Sequence, residues 1–339
     1  MAQELLINKK NRTDRLKHFD FISGVFIIQI IVMHILQFSN RYCDNSIFDF
    51  VMQISFFFMP WFYFKSGFFY TQPTKIDFYF IKSKFQKLLV PFAIFGFIGF
   101  CINLPYNILT IDRPFLENIT SPIIGFLREG SVGFGNAPLW FLLSLFIVNI
   151  LYAYFDIIKA KYIIIIFPFL GFSLYYFNIK LPLGLSNLFL ATFFFGAGSL
   201  VRKYMYLVSY RIVIVINLVL YLLLISYAAS YIDFRSNNLV NGHYLVYSFS
   251  AIVGLILVSG GLTRFSGVRI VNKIGSNSLL YFILHWPLIL TCRLLLYLLG
   301  ISTLGYHFAA ITFFVIFISI PLLSSVSGRV LSYRLFRSK

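Results

Sequence analysis

Charge is what this sequence lacks. Only 12% of its 339 residues are Asp, Glu, Lys or Arg, against about 25% in an ordinary soluble domain. That deficit excludes a soluble globule. Cysteine is scarce as well: Cys43, Cys101 and Cys292 lie far apart, which excludes a disulfide framework and offers no metal-ligand spacing. No polar stretch is long enough for a separate soluble domain, and no internal repeat or coiled-coil heptad is visible. The apolar run after the basic N-terminus MAQELLINKKNRTDRLKHFD lacks a small-residue cleavage site, so it reads as a retained span, not a removed signal peptide.

What is present is apolar and aromatic, 59% and 20% of residues respectively. Runs of about 20 apolar residues recur, each long enough to cross a hydrocarbon layer about 30 Å thick. The expected fold class is therefore an all-α, polytopic integral membrane protein of about ten transmembrane helices. The spans fall at roughly 19 to 38, 47 to 70, 88 to 108, 138 to 156, 161 to 178, 184 to 201, 210 to 231, 243 to 261, 277 to 299 and 303 to 325. A basic segment, 1–18, precedes the transmembrane domain, 19–326, and a basic tail, 327–339, follows it.

The net charge of +17 would point to nucleic acid if it formed one patch, but it is distributed over short loops on alternate sides of the spans. With ten spans and both termini cytoplasmic, 21 of the 28 basic residues lie inside, among them Lys75, Lys82, Lys84 and Lys87. Five (Arg41, Arg113, Arg128, Lys180 and Arg235) lie outside. This is the positive-inside pattern, so the partner it implies is a lipid bilayer and no nucleic acid. The longest outside connection, about 109 to 137, has a Gly, Pro and Asn content that argues against a further span. A connection of that length is more often functional than idle.

Ionisable groups at membrane depth are costly, so each needs a reason. The first span reads DFISGVFIIQIIVMH from Asp20 to His34. The two ends are 14 positions apart, near four full turns, and so share a face about 21 Å long. Ser23, Gly24, Ile27 and Ile31 fall on the same stripe, while Gln29 points the opposite way. The bland alternative is an interfacial Asp favoured by the helix dipole and a His packed against a neighbour. In the second span, FFMPWFYFKSGFFY, Met59-Pro60 predicts a kink and Gly67 a close helix approach. Lys65 there could simply snorkel to the interface. Ser276 or Asn277 is placed to cap the ninth span.

Six segments in order carry a resemblance: the first span with its Asp20 and His34, Phe57 to Tyr70, the lysine run KSKFQKLLVP, PLWFL, FFFGAGSLVRK and IGSNSLLYFILH. Together they resemble the acyltransferase-3 family of integral-membrane O-acyltransferases, particularly the fucose-4-O-acetylase-like branch. The resemblance implies transfer of an acyl group, usually acetyl, from cytoplasmic acetyl-CoA to a hydroxyl of a cell-surface or secreted carbohydrate, in the cytoplasmic membrane of a bacterium and with no metal. It makes His34 the general base, a role imidazole suits, or a transient carrier of the acyl group. His285 or Arg293, on the ninth span, would steady the developing negative charge. Lys82, Lys84 and Lys87 would contact the phosphates of CoA, and the stripe from Asp20 to His34 would wall the path of the pantetheine arm.

One position departs from the family's pattern. Where the family carries Lys or Arg three residues after its aspartate, this chain has Ser23. Lys65, where the family usually has an apolar residue, is the expected substitute and the expected partner of Asp20. Two other classes stay open: a non-catalytic membrane protein, such as a lipid-linked glycan transporter or a relative that has lost activity, and a membrane glycosyltransferase. A transporter would more often show inverted repeats with ionisable groups at the midplane. A glycosyltransferase would use outer acidic residues, but Asp44, Asp112, Glu117, Glu129 and Asp233 have no metal-site spacing. Oligomeric state leaves no trace in the sequence.

Overall fold

The computed structural model describes residues 16–40, 46–111, 113–129, 135–228, 232–234, 238–239 and 244–327. Most of the expected N-terminal segment, nearly all of the tail, and Arg41, Cys43, Asp44, Asp112 and Arg235 lie outside the described residues. The helices, in order, are α1 (Lys17–Phe38), α2 (Ser46–Ile54), α3 (Phe58–Phe68), α4 (Phe78–Lys84), α5 (Val90–Thr110), α6 (Phe115–Glu129), α7 (Trp140–Ile157), α8 (Phe167–Tyr176), α9 (Leu188–Lys203), α10 (Met205–Val208), α11 (Arg211–Ala228), α12 (Tyr244–Gly261), α13 (Arg269–Ser276), α14 (Ser278–Leu298) and α15 (Tyr306–Ser327). A two-residue antiparallel bridge, Ile232 to Leu239 and Asp233 to Asn238, is the only extended pairing among the described residues.

Seven helices among the described residues are long and apolar enough to cross a membrane, which makes this an all-helical, multi-pass membrane protein. Three shorter apolar helices, Phe115–Leu127, Lys161–Tyr176 and Arg211–Ile225, accompany them. Three of the ten expected spans are not among the seven: 161 to 178 and 210 to 231 fall on two of these shorter helices, and 47 to 70 is interrupted. The expected second span is broken into α2 and α3 by a turn at Ser55, Phe56 and Phe57. Pro60 therefore does not kink a continuous helix: it sits in the first turn of α3, where the backbone N–H it lacks has no intrahelical partner to lose. The third expected span instead extends backwards, through a π-helical turn at Phe85–Leu89, to form one helical stretch from Phe78 to Thr110. The long connection is not irregular either, since α6 fills much of it with an amphipathic helix about 22 Å long by rise per residue.

Helix α1 is buried over most of its surface, from Phe19 through Ile27, Ile30 and Ile31 to Leu36, and only a narrow stripe at Phe21, Val25, Ile28 and Val32 reaches the outside. A helix with so broad a buried surface belongs inside a bundle. By contrast, α5, α11 and α15 keep rows of large apolar side chains on the outside, such as Phe97, Leu222 and Phe314. Gln29, on the far side of α1 from the Asp20 stripe, accepts from Ser55 Oγ at 3.0 Å and donates to Met52 Sδ at 3.1 Å. Its amide therefore pins the central helix to the break between α2 and α3.

Without a hydrophobic force between helices in lipid, association depends on close packing and hydrogen bonds. Two glycine crossings supply the close packing. A Cβ on Gly67 of α3 would lie 1.7 Å from Phe195 O, and one on Gly198 of α9 would lie 2.0 Å from Phe64 O. On the other side, a Cβ on Gly275 of α13 would lie 1.7 Å from Asp20 O, and one on Gly24 would lie 2.2 Å from Val271 O. These backbone-to-backbone contacts hold α3 and α1 where their polar residues can meet. Gly67→Ala should therefore cost on the order of 3 kcal/mol or more, measured as a fall in thermal stability in detergent. Gly261→Ala, whose nearest neighbour would be at 3.7 Å, should have little effect. Equal behaviour of the two variants would contradict the close crossing.

Candidate active site

The polar residues gather at two ends of α1. At the first, Ser23 Oγ donates to Phe19 O at 2.7 Å and accepts from Lys65 Nζ at 2.7 Å and Trp61 Nε1 at 3.0 Å. A hydroxyl has one donor and two acceptor sites, so Ser23 is fully engaged although it is completely buried. The Lys65 ammonium also lies 3.9 Å from Asp20 Oδ1. Lys65 and Trp61 are one turn apart on α3, so a single face of that helix delivers both donors to α1.

Asp20 is in the first turn of α1, as a dipole argument requires, and it is buried within the bundle. Lys65 does not snorkel away: its side chain is only 21% exposed and its head is held at Ser23. The short contact to the hydroxyl is stronger than the one to Asp20, because 3.9 Å is the outer limit of an ion pair. Losing one member of a buried pair costs more than losing both.

At the other end, the His34 ring stacks on His285 with centroids 5.4 Å apart and meets Trp286 edge-on at 5.0 Å. His34 Nδ1 is 3.0 Å from Gln37 Oε1. The amide oxygen accepts, so Nδ1 carries the proton and the basic lone pair is on Nε2. His285 is fully buried, with Nδ1 at 3.1 Å from Tyr281 O. A carbonyl only accepts, which again puts the proton on Nδ1. His285 Nε2 has no hydrogen-bond partner among the described residues. Neutral His285 thus offers an acceptor there, which fits proton transfer better than the oxyanion-donor role considered from sequence.

Pro287 explains why the chain is organised here. Its missing N–H releases the carbonyl of Ile283 within α14, and Asn136 Nδ2 donates to that oxygen at 3.3 Å. Asn136 also reaches Phe95 O at 3.3 Å, beside Gly99, where an added Cβ would meet Gly135 O at 2.9 Å. Gly135, at φ +82°, then presents its carbonyl to Trp286 Nε1 at 2.9 Å. The far end of the long connection therefore fixes the indole that packs on His34. Arg293, two turns beyond His285 on α14, lies over the rings of Tyr106 at 4.0 Å and Phe38 at 5.3 Å. Its cation is held by cation–π contacts, and its Nε has no hydrogen-bond partner among the described residues.

The lysine run is split by orientation. Lys84 turns inward and donates to Asn149 Oδ1 at 2.9 Å, while Lys82 and Lys87 are exposed. The π-helical turn at Phe85–Leu89 carries Lys87 and aims Leu88 into the bundle. A cavity of about 300 Å³ lies there, with Lys65 and Ser66 of α3 on one wall and Leu88, Phe141, Leu145 and Phe282 around it. Phe282 packs on Phe141 at 5.4 Å and lies 6.0 Å from the His285 ring. No residue of α1 lines this cavity. The stripe from Asp20 to His34 is thus not an open wall: Ile27 and Ile31 are fully buried and Gly24 is covered by Val271. The expected caps of α14 are also absent. Asn277 precedes that helix without a side-chain cap, and both Asn277 and Ser276 donate to Lys273 O.

Residues that the sequence did not single out complete both ends. Trp61 and Gln37 stand at helical spacing from Lys65 and His34, a signal that was legible. Trp286 and Asn136 act through contacts between distant segments, for which no local signal exists.

The chain matches the acyltransferase-3 family model, described as an acyltransferase domain, over residues 16–326. It belongs to that family. Comparison with curated proteins and with solved structures gives no match.

The pair at the first end predicts thermodynamic coupling. Lys65→Met should cost more stability in the native background than in an Asp20→Asn background, by about 1–3 kcal/mol. A double-mutant cycle of thermal unfolding in detergent checks this. Equal costs would show that the 3.9 Å contact carries no coupling.

Proposed function

We propose that this protein is a membrane O-acyltransferase of the fucose-4-O-acetylase-like kind, moving an acetyl or related acyl group from cytoplasmic acyl-CoA to a hydroxyl of a cell-surface or secreted carbohydrate. The observation that carries the reading is the juxtaposition of His34 and His285 at one end of the buried helix α1, in a chain of this family. On this reading both termini are cytoplasmic, the lysine run faces the cytoplasm, and the two histidines face the acceptor in the outer half of the plasma membrane of a bacterium.

The chemistry follows from the tautomers. A sugar hydroxyl is a poor nucleophile until its proton is removed. Gln37 holds the His34 Nδ1–H, which directs Nε2 to take that proton. The hydroxyl oxygen attacks the thioester carbonyl, a C–O bond forms, the C–S bond breaks, and the proton passes to the departing thiolate. His285, one ring away, accepts a hydrogen bond at Nε2 and so orients the hydroxyl or shares its proton. Arg293 supplies positive charge on the same side of the bundle. Lys82 and Lys87, exposed at the other end, suit the phosphates of CoA as point charges, and inward-turned Lys84 helps fix the helix that bears them. Lys65 provides the cation that the family's pattern places at position 23.

His34→Ala should abolish acyl transfer while leaving the protein made and inserted. The measurement is the ester-linked acyl content of the host's surface glycan, with the native chain and with the variant, normalised to protein in the membrane. Equal content in both would overturn the assignment.

A further inference from the structure

The partly open cavity beside Lys65 is larger than an acetyl group fills, and its lining is mostly apolar. A dry apolar cavity of about 150 Å³ accommodates benzene, and this one is about 300 Å³. Polar groups on its wall are few: Lys65, Ser66 and Ser278. Lys65 is turned to Ser23, and Ser66 Oγ donates to Phe62 O at 2.8 Å within its own helix. The pantetheine arm of CoA carries two amides, and burying an amide without partners costs several kcal/mol. A hydrocarbon chain has no such requirement. The cavity also has the right neighbours for the tail of a thioester. Leu88 on its wall is adjacent in sequence to the exposed Lys87, and Phe282, also on its wall, packs beside the His285 ring at 6.0 Å.

We propose that this cavity holds the hydrocarbon chain of the donor's acyl group, and that the chain transferred is longer than acetyl, about four to eight carbons. The proposal rests on the acyltransferase reading above and makes it specific. Leu145 and Phe282 set the depth of the cavity. Leu145→Trp fills it and favours short acyl groups, whereas Phe282→Ala deepens it and favours longer ones. A methylene in such a pocket is worth roughly tenfold in selectivity, so the two variants move the product distribution in opposite directions by at least that factor.

The test uses native host membranes containing the full chain, supplied with equal concentrations of acetyl-, butyryl-, hexanoyl- and octanoyl-CoA. Ester-linked acids are then released from the glycan by mild alkali and quantified by gas chromatography. The expected result is a native product dominated by four- to eight-carbon acids, moving towards acetate in Leu145→Trp and towards octanoate in Phe282→Ala. If one variant does not accumulate, the other decides. Acetate as the sole product in the native chain and in the surviving variant overturns the chain-length claim, as expected if a lipid tail occupies the cavity, and leaves the acyltransferase reading standing. No acid that depends on the presence of the chain overturns that reading and the chain-length claim with it.

Discussion

A lysine carried into a helix bundle has to find hydrogen-bond acceptors there, because a largely buried ammonium without partners is costly. Lys65 finds one in Ser23, at 2.7 Å, with Asp20 just beyond. The rest of the bundle is arranged to permit that contact. The Gly67 and Gly198 crossing sets α3 against α9, the Gly24 and Gly275 crossing sets α1 against α13, and the break at Ser55 to Phe57 lets α3 take its own direction. Trp61 fills the second acceptor site of the same hydroxyl. A lysine at position 23 would bring a second ammonium to the place where the first already lies.

The opposite end of α1 is built on a different defect. Pro287 leaves a carbonyl of α14 without its helical partner, and that carbonyl draws in Asn136 from the long connection. From there the order of contacts runs through Gly135 to Trp286 and so to His34. The histidine pair is thus held by segments from three distant parts of the chain. Its side chains come from distant segments, whereas the donors and the acceptor of the Lys65 end come from α1 and α3 alone, with α9 and α13 packed behind them.

This difference governs what could be read from the sequence. Membrane character, the stripe shared by Asp20 and His34, and the possible pairing of Lys65 with Asp20 follow from composition, helical period and a single departure from a family pattern. The break between α2 and α3 was not legible, because a proline in the first turn of a helix and a proline that kinks one look alike in sequence. Nor was the fate of the stripe, since period tells which residues share a face but not what covers them. Ile27 and Ile31 are covered completely, and the open space lies instead against α3, α7 and α14. The inward turn of Lys84 depends on Asn149, 65 positions away, and the lysine run alone could not reveal it.

The central claim is that Lys65 supplies the charge Ser23 lacks. The most direct measurement compares acyl transfer, per inserted molecule, among the native chain, Lys65→Leu, and Lys65→Leu combined with Ser23→Lys. The account predicts that the single variant loses at least about tenfold in rate, equivalent to roughly 1.4 kcal/mol, and that the double variant recovers most of it. Full activity in Lys65→Leu alone would contradict it.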